Sequence, residues 1–196
     1  MPPADTGSTP STPDPSSPQS TPPPPDAPQF TVAELDDAFA AFQRTVAEIA
    51  VDRDWDRFAD MFTEDADYVE HALGTMRGGA EIRDWIRRTM TAFPGSHMTA
   101  FPALWHVCDA PTARVICEVD NPMTDPGDGS VITATNITIL TYAGDGLWSR
   151  EEDVYNPLEF GAAAMAWCER ARDLGTLDES AAEWMRTTGR AFARRG

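Results

Sequence analysis

The hydrophobic spacing of this chain turns from helical to strand period near residue 95 and back near residue 156, and the first change limits the fold more than any other feature. Before it, apolar residues recur at intervals of three and four; after it, they alternate in short runs separated by turn residues. Thr31-Val32-Ala33-Glu34 is a capping box, with Phe30 placed to staple onto Leu35. Leu35, Phe39, Phe42, Val46 and Ile49 follow on one helical face, which predicts a helix ending near Asp52. Asp54 is the expected cap of a short second helix carrying Trp55, Phe58, Met61 and Phe62. A short strand is expected at Asp67–His71 and a turn at Gly74–Gly79. A third helix then follows through Ile82, Trp85, Ile86 and Met90, ended by Pro94-Gly95.

From His97 the pattern predicts strands over 97–107, 113–123, 130–142 and 147–155, with turns at Ala110-Pro111, Asp125–Gly129 and Gly144–Gly146. Strands joined so tightly pair antiparallel. Asn156-Pro157 opens another helix through Phe160, Met165, Trp167 and Leu174, closed by Gly175, and a last helix starts near Asp178 with Trp184, Met185 and Phe192. Helices first and antiparallel strands after describe an α+β domain in which helices cover one face of a bent sheet, an arrangement that encloses a cavity.

Composition removes several classes of function. Of 17 prolines, 11 fall within the first 29 residues, a Pro/Ser/Thr-rich stretch with too little apolar surface to offset the entropy of ordering, so residues 1–29 are expected to be a disordered tail. The chain contains no lysine, which excludes Schiff-base chemistry and a P-loop. The net charge of −17 opposes binding to nucleic acid and to anionic membrane surfaces. Arg186, Arg190, Arg194 and Arg195 near the C-terminus read as a solvated helix end. Three cysteines, Cys108, Cys117 and Cys168, without a C-x-x-C pair or an apolar leader, point to a reducing, cytoplasmic setting. No apolar run approaches the roughly 18 residues of a membrane span.

Residues Asp54-Trp55-Asp56-Arg57-Phe58, Phe62 through Tyr68, Gly74, Gly79 and Glu81-Ile82, then Gly144-Asp145-Gly146, Trp148 and an acidic strand, resemble the SnoaL-like branch of the NTF2-like superfamily. The resemblance implies a cone-shaped NTF2-like barrel over 30–160, a C-terminal helical extension over 161–196, a pocket for a small hydrophobic ligand, and a homodimer. Relatives include polyketide cyclases, ketosteroid isomerases, scytalone dehydratase, limonene epoxide hydrolase and non-catalytic members, so fold alone does not choose a reaction.

Of the ketosteroid isomerase set, the base position falls on Glu70, whereas the tyrosine and oxyanion acid fall near Val46 and Thr138. Scytalone dehydratase matches at His97 but meets Ala50 and Val51 where its tyrosine and aspartate stand. Limonene epoxide hydrolase matches at Tyr68 and Asp153, with Glu70 and Asn121 at two further site positions and Val119 in place of the arginine between its acids. Without that arginine the two carboxylates are not polarised as that mechanism requires.

Strand alternation puts Val115, Cys117, Val119 and Asn121 on one inward face, and Leu147, Glu151, Asp153 and Tyr155 on one face of the last strand. Glu70, under an apolar roof of helices, is the candidate general base, with Asp153 or His97 as the acid and Tyr68, Asn121 and Asn136 as hydrogen-bonding positioners. Trp105 and Tyr155 are candidate substrate contacts, with core packing as the alternative. His71 points away from Glu70. No metal is expected, since His71, His97 and Glu70 lack ligand spacing, and no cofactor is expected. The resulting expectation is cofactor-independent dehydration, isomerisation or cyclisation. Its rival is a non-catalytic ligand-binding or dimerisation module. An open cavity of roughly 300 Å³ or more containing Glu70 favours the first.

Overall fold

The computed structural model describes residues 29–188. Nearly all of the expected tail, together with Arg190, Phe192, Arg194 and Arg195, lies outside the described residues.

Thr31 caps α1 (Val32–Asp52) as the capping box demands: its hydroxyl accepts from Glu34 N at 3.2 Å, while Glu34 Oε2 accepts from Thr31 N at 2.7 Å. The predicted apolar face of α1 is buried in full. Phe30 packs its ring on Tyr142, at 4.8 Å between centroids. Helix α2 (Asp56–Ala59) is only four residues long, and Trp55 rather than Asp54 takes its N-cap position without a side-chain cap bond. Strand β1 (Phe62–Glu70) starts five residues before the expected Asp67, so Phe62 belongs to a strand and not to the helical face. The expected turn at 74–79 is instead edge strand β2 (Gly74–Arg77), which runs into α3 (Gly78–Thr91).

The remaining strands are β3 (Ala103–Asp109), β4 (Arg114–Asp120), β5 (Thr135–Gly144) and β6 (Leu147–Val154). Two of them begin later than the sequence pattern suggests. Residues Gly95–His97 form a 3-10 turn, and Pro102, which cannot donate to a ladder, precedes β3. Ahead of β5, Asp125 Oδ1 gathers the amides of Gly127, Asp128 and Gly129 at 2.7–3.0 Å into a side-chain-capped loop. The six strands form one sheet in the order β2-β1-β6-β5-β4-β3. β1 with β2, and β3 through β6 in turn, pair antiparallel, and the first half joins the second through the parallel pair β1 and β6.

A bulge in β6 decides what reaches the interior. Tyr142 pairs with Trp148 and Thr141 with Arg150, so Ser149 is the extra residue. The bulge shifts the strand's phase: Trp148, not Leu147, shares the inner face with Glu151 and Asp153, and it is 1% exposed. Its ring packs on Phe42 and Tyr142 at 5.7 and 5.1 Å. Helices α1, α2 and α3 cover this concave face and enclose the main core with Leu35, Ile49, Ile82, Val115 and Leu140.

A second, smaller core belongs to α4 (Pro157–Leu174) and α5 (Glu179–Thr187), where Ala164, Trp167, Cys168 and Ala181 meet Phe93 and Met123. Asn156 caps α4, and Gly175 ends it with a φ of 76°. Asp178 caps α5 through Ala181 N at 2.9 Å and also holds His97 Nε2 at 2.6 Å. Asp178→Ala removes both contacts and is expected to cost about 1–2 kcal/mol, seen as a melting-temperature loss of about 2–4 °C per kcal/mol. An unchanged melting temperature would show that the extension does not need this anchor.

Candidate functional site

Between the concave sheet face and the helices lies a cavity of about 510 Å³. Its walls are mainly aromatic and aliphatic, and among the described residues no basic side chain lines it. Phe160 and Gly161 of α4, and Trp184 of α5, also line it, so the C-terminal extension contributes part of the enclosure.

Sheet register builds the polar floor. Strand pairing sets Glu70 beside Asp153, Asp153 beside Thr138, and Thr138 beside Cys117, making one row across four strands. The adjacent row reads Tyr68, Glu151, Leu140 and Val115. Three carboxyl groups thus occupy neighbouring inward positions, and Glu70 and Glu151 are 4% and 5% exposed.

Asp153 is the most heavily bonded of the three. Its Oδ2 accepts from Tyr68 Oη at 2.5 Å, and its Oδ1 accepts from Thr138 Oγ1 at 2.5 Å and Asn136 Nδ2 at 2.9 Å. Asn136 is oriented in turn by Asn121, whose Nδ2 donates to its Oδ1 at 2.8 Å. Burial raises the Asp153 carboxyl above its ordinary value, while the hydrogen bonds from Thr138 and Tyr68 pull the other way. Glu151 has less support: a hydrogen bond from Tyr68 lowers its carboxyl, but its Oε2 is buried without a partner. Burial first, and then the charge of Asp153, push its carboxyl well above the usual carboxylate range. The two acids share the inner face of β6 and each disfavours the other's ionisation, with Glu151 pushed up the further of the two.

Burial and the neighbouring acids also raise the Tyr68 phenol well above its ordinary value, so it remains a proton donor to Asp153. Burial likewise raises Tyr155, with Glu70 adding to the effect through a hydrogen bond and its charge. Glu70 Oε2 accepts from Ala72 N at 3.2 Å. The Cys117 thiol, also on the cavity wall, is pushed up to about 12 by burial, so it is held as an inert thiol rather than a nucleophile.

The structure therefore brings together Glu70, Asp153, Tyr68, Asn121, Asn136 and Tyr155, all of which line the cavity. It separates two residues from them. Trp105 is 45% exposed on the outer sheet face, where its Nε1 donates to Glu118 at 2.6 Å. The late start of β3 shifts His97 onto the 3-10 turn, beneath the extension, where Asp178 and Ser96 take its two ring nitrogens and Trp167 packs on it at 4.5 Å. His97 is not a cavity residue. His71 points outward onto Glu152 at 2.8 Å. Two floor residues outside the predicted set, Glu151 and Thr138, complete the site. Alternation had placed Glu151 on the Asp153 face, but Glu151-Glu152-Asp153 reads equally as an exposed edge cluster, and only pairing with the interior strand β1 buries it. Away from the cavity, Asp36 of α1 and His106 and Cys108 of β3 bring potential metal-ligand atoms within 4.8 Å of one another.

A curved sheet roofed by helices over an acid-floored apolar cavity defines an α+β protein of the NTF2-like, ketosteroid-isomerase-like fold. Residues 33–151 match the SnoaL-like domain, and the chain belongs to that family. Among solved structures it is similar to an LEH-like epoxide hydrolase from M. tuberculosis, at 14% identity over 75% of this chain and 96% of that one, with a TM-score of 0.54. It is also similar to TerC, co-crystallised with polyporic acid, at 19% identity over 66% and 96% of the two chains (TM-score 0.51). A third likeness is to SalBIII, an epoxide hydrolase/cyclase-like enzyme in pyran ring formation in salinomycin, at 17% identity over 63% and 92% (TM-score 0.50). These likenesses show a shared fold. No match was found among curated proteins. Among the described residues, no helix is long and apolar enough to cross a membrane.

Proposed function

We propose that the protein is a cofactor-independent acid/base enzyme of the cyclase/isomerase type acting on a small apolar molecule. The observation that carries this reading is the floor of three neighbouring carboxyl groups, Glu70 and Glu151 of them buried, in an aromatic cavity of about 510 Å³. Burying acids is costly, and an unreactive core filled with side chains avoids that cost. The volume exceeds the roughly 300 Å³ that separates a ligand pocket from a filled cone.

In this scheme Glu70 takes a proton from the carbon or hydroxyl of the substrate, and the neutral Glu151 returns one to the oxygen that leaves or gains charge. Asp153, fixed by Tyr68, Thr138 and Asn136, raises the proton affinity of Glu151. Dehydration, isomerisation and ring closure all use this exchange, and in dehydration the departing hydroxyl leaves as water.

The test is turnover across hydroxylated and enone substrates by wild type and Glu70→Gln. A loss of roughly 10²-fold or more in the variant is expected for a general base. Equal rates would remove Glu70 from the mechanism. A protein that co-purifies with a hydrophobe, as read by native mass spectrometry, yet turns nothing over would support the binding-module alternative.

A homodimer is part of this proposal. The outer sheet face, opposite the cavity, carries the exposed Trp105 and Val107, and Ile137 and Ile139 of β5 point the same way. Light scattering should return twice the mass of 21.4 kDa, and a monomer at all concentrations would reject the dimer. All three cysteines are unpaired, which fits the cytoplasmic setting expected for the chain.

A further inference from the structure

Buried indoles usually find an acceptor for their N–H, because leaving such a donor unpaired costs about 1–3 kcal/mol. Trp167 follows this rule, donating to the Thr124 carbonyl at 2.7 Å. Trp55 and Trp85 do not, although they are only 5% and 9% exposed. Among the described residues, three buried side-chain polar atoms lack a partner: Nε1 of Trp55, Nε1 of Trp85 and Oε2 of Glu151. All three residues line the same cavity.

The Trp85 ring lies 4.4 Å from that of Tyr68, whose hydroxyl holds Asp153, so this indole stands beside the acid floor. Trp55 packs on Phe101 at 5.8 Å, elsewhere on the wall. An indole N–H only donates, so each of the two orphan indoles calls for an acceptor from a ligand. Charge narrows the choice further. Among the described residues three acids and no basic side chain line the cavity, so a ligand anion finds no counter-charge there.

We propose that Trp55 and Trp85 are specificity residues whose indole N–H groups hold oxygen acceptors of the ligand. The site therefore selects an uncharged apolar ring compound bearing carbonyl or ether oxygen over both its hydrocarbon parent and its carboxylate. This inference rests on the reading of the cavity as a ligand site and not on catalysis.

Equilibrium dialysis with 9-fluorenone, fluorene and fluorene-9-carboxylate tests it, because the three probes share one ring body. Fluorenone is expected to bind wild type roughly 10-fold more tightly than fluorene, the worth of one hydrogen bond in a water-poor site, and the carboxylate is expected not to bind. Fluorenone has one oxygen, so at least one of Trp85→Phe and Trp55→Phe should reduce the ketone preference. Benzothienylalanine at that position keeps the ring size but replaces N–H by sulfur, and should do so with little change in fluorene affinity. Equal binding of ketone and hydrocarbon by wild type, measurable binding of the carboxylate, a preference unmoved by all the replacements, or no binding of any probe would each overturn the proposal. Turnover plays no part in this readout: a ketone preference in a protein silent in the catalytic assay would sink the enzyme reading and leave this inference standing.

Discussion

Glu151→Gln is expected to lower turnover by about 10²–10⁴-fold, the usual contribution of a positioned general acid, while raising the melting temperature at pH 8. Both effects come from one property. Burial and the charge of Asp153 lift the Glu151 carboxyl well above its ordinary value, so the folded protein keeps a proton that the unfolded chain has already released. Above the unfolded value, near 4.3, the folded state binds more protons than the unfolded one, and stability falls as pH rises until the folded-state value is reached. Glutamine keeps the shape and carries no titrating proton, so this loss disappears. The gain at pH 8 is expected to be roughly 1–3 kcal/mol, or about 2–4 °C in melting temperature per kcal/mol, and the variant's melting curve should depend less on pH between 5 and 8. Thermal scans at both pH values, with turnover on the same samples, decide the matter. An active variant would clear Glu151 of the acid role. A variant less stable at pH 8 would show that its carboxyl holds the fold together instead of straining it.

Gly95→Ala is expected to destabilise the fold by about 3 kcal/mol or more, a loss of roughly 6–12 °C in melting temperature at about 2–4 °C per kcal/mol. A Cβ at this position would overlap the Thr89 carbonyl oxygen and meet the carbonyl carbon at 3.0 Å. Both are backbone atoms of α3, so no rotamer change relieves the overlap, and either the 3-10 turn or the end of α3 must move. Gly95 also lines the cavity between Pro94 and Met98, and the displacement should weaken ligand binding along with stability. Differential scanning calorimetry measures the first effect and dialysis with fluorenone the second. A melting temperature within 2 °C of wild type would show that this approach is looser than the structure makes it.

Gly95 also shows where sequence reasoning stops. Pro94-Gly95 correctly signals that a helix has ended, because those residues act locally. That the glycine is needed for a close approach between two backbones is a non-local fact, invisible in spacing. Trp148 and Glu151 teach the same lesson through the bulge at Ser149. Strict alternation groups Leu147 with Glu151, but one inserted residue reverses the parity and sends Trp148 inward. His97 was separated from the acids for a related reason: Pro102 delays β3, and the imidazole, left on a turn, finds the cap of α5.

By itself, the sequence determined the elements whose causes are local. The capping box of α1, the apolar face from Leu35 to Ile49, the hairpin turns, the Asn156 and Asp178 caps and the inward face of Val115, Cys117, Val119 and Asn121 were all legible, because each rests on residues within a turn or two of one another. Glu70, Tyr68 and Asp153 could be nominated for the site, but their assembly could not be read. That was decided by the parallel pairing of β1 with β6, strands some eighty residues apart, which sets Glu70 beside Asp153 and Tyr68 beside Glu151. Charge in a sequence has no dielectric attached to it: the acidic run at 151–153 becomes one outward ion-pair partner and two buried acids only when the sheet closes over it, and that closure creates the chemistry proposed for this cavity.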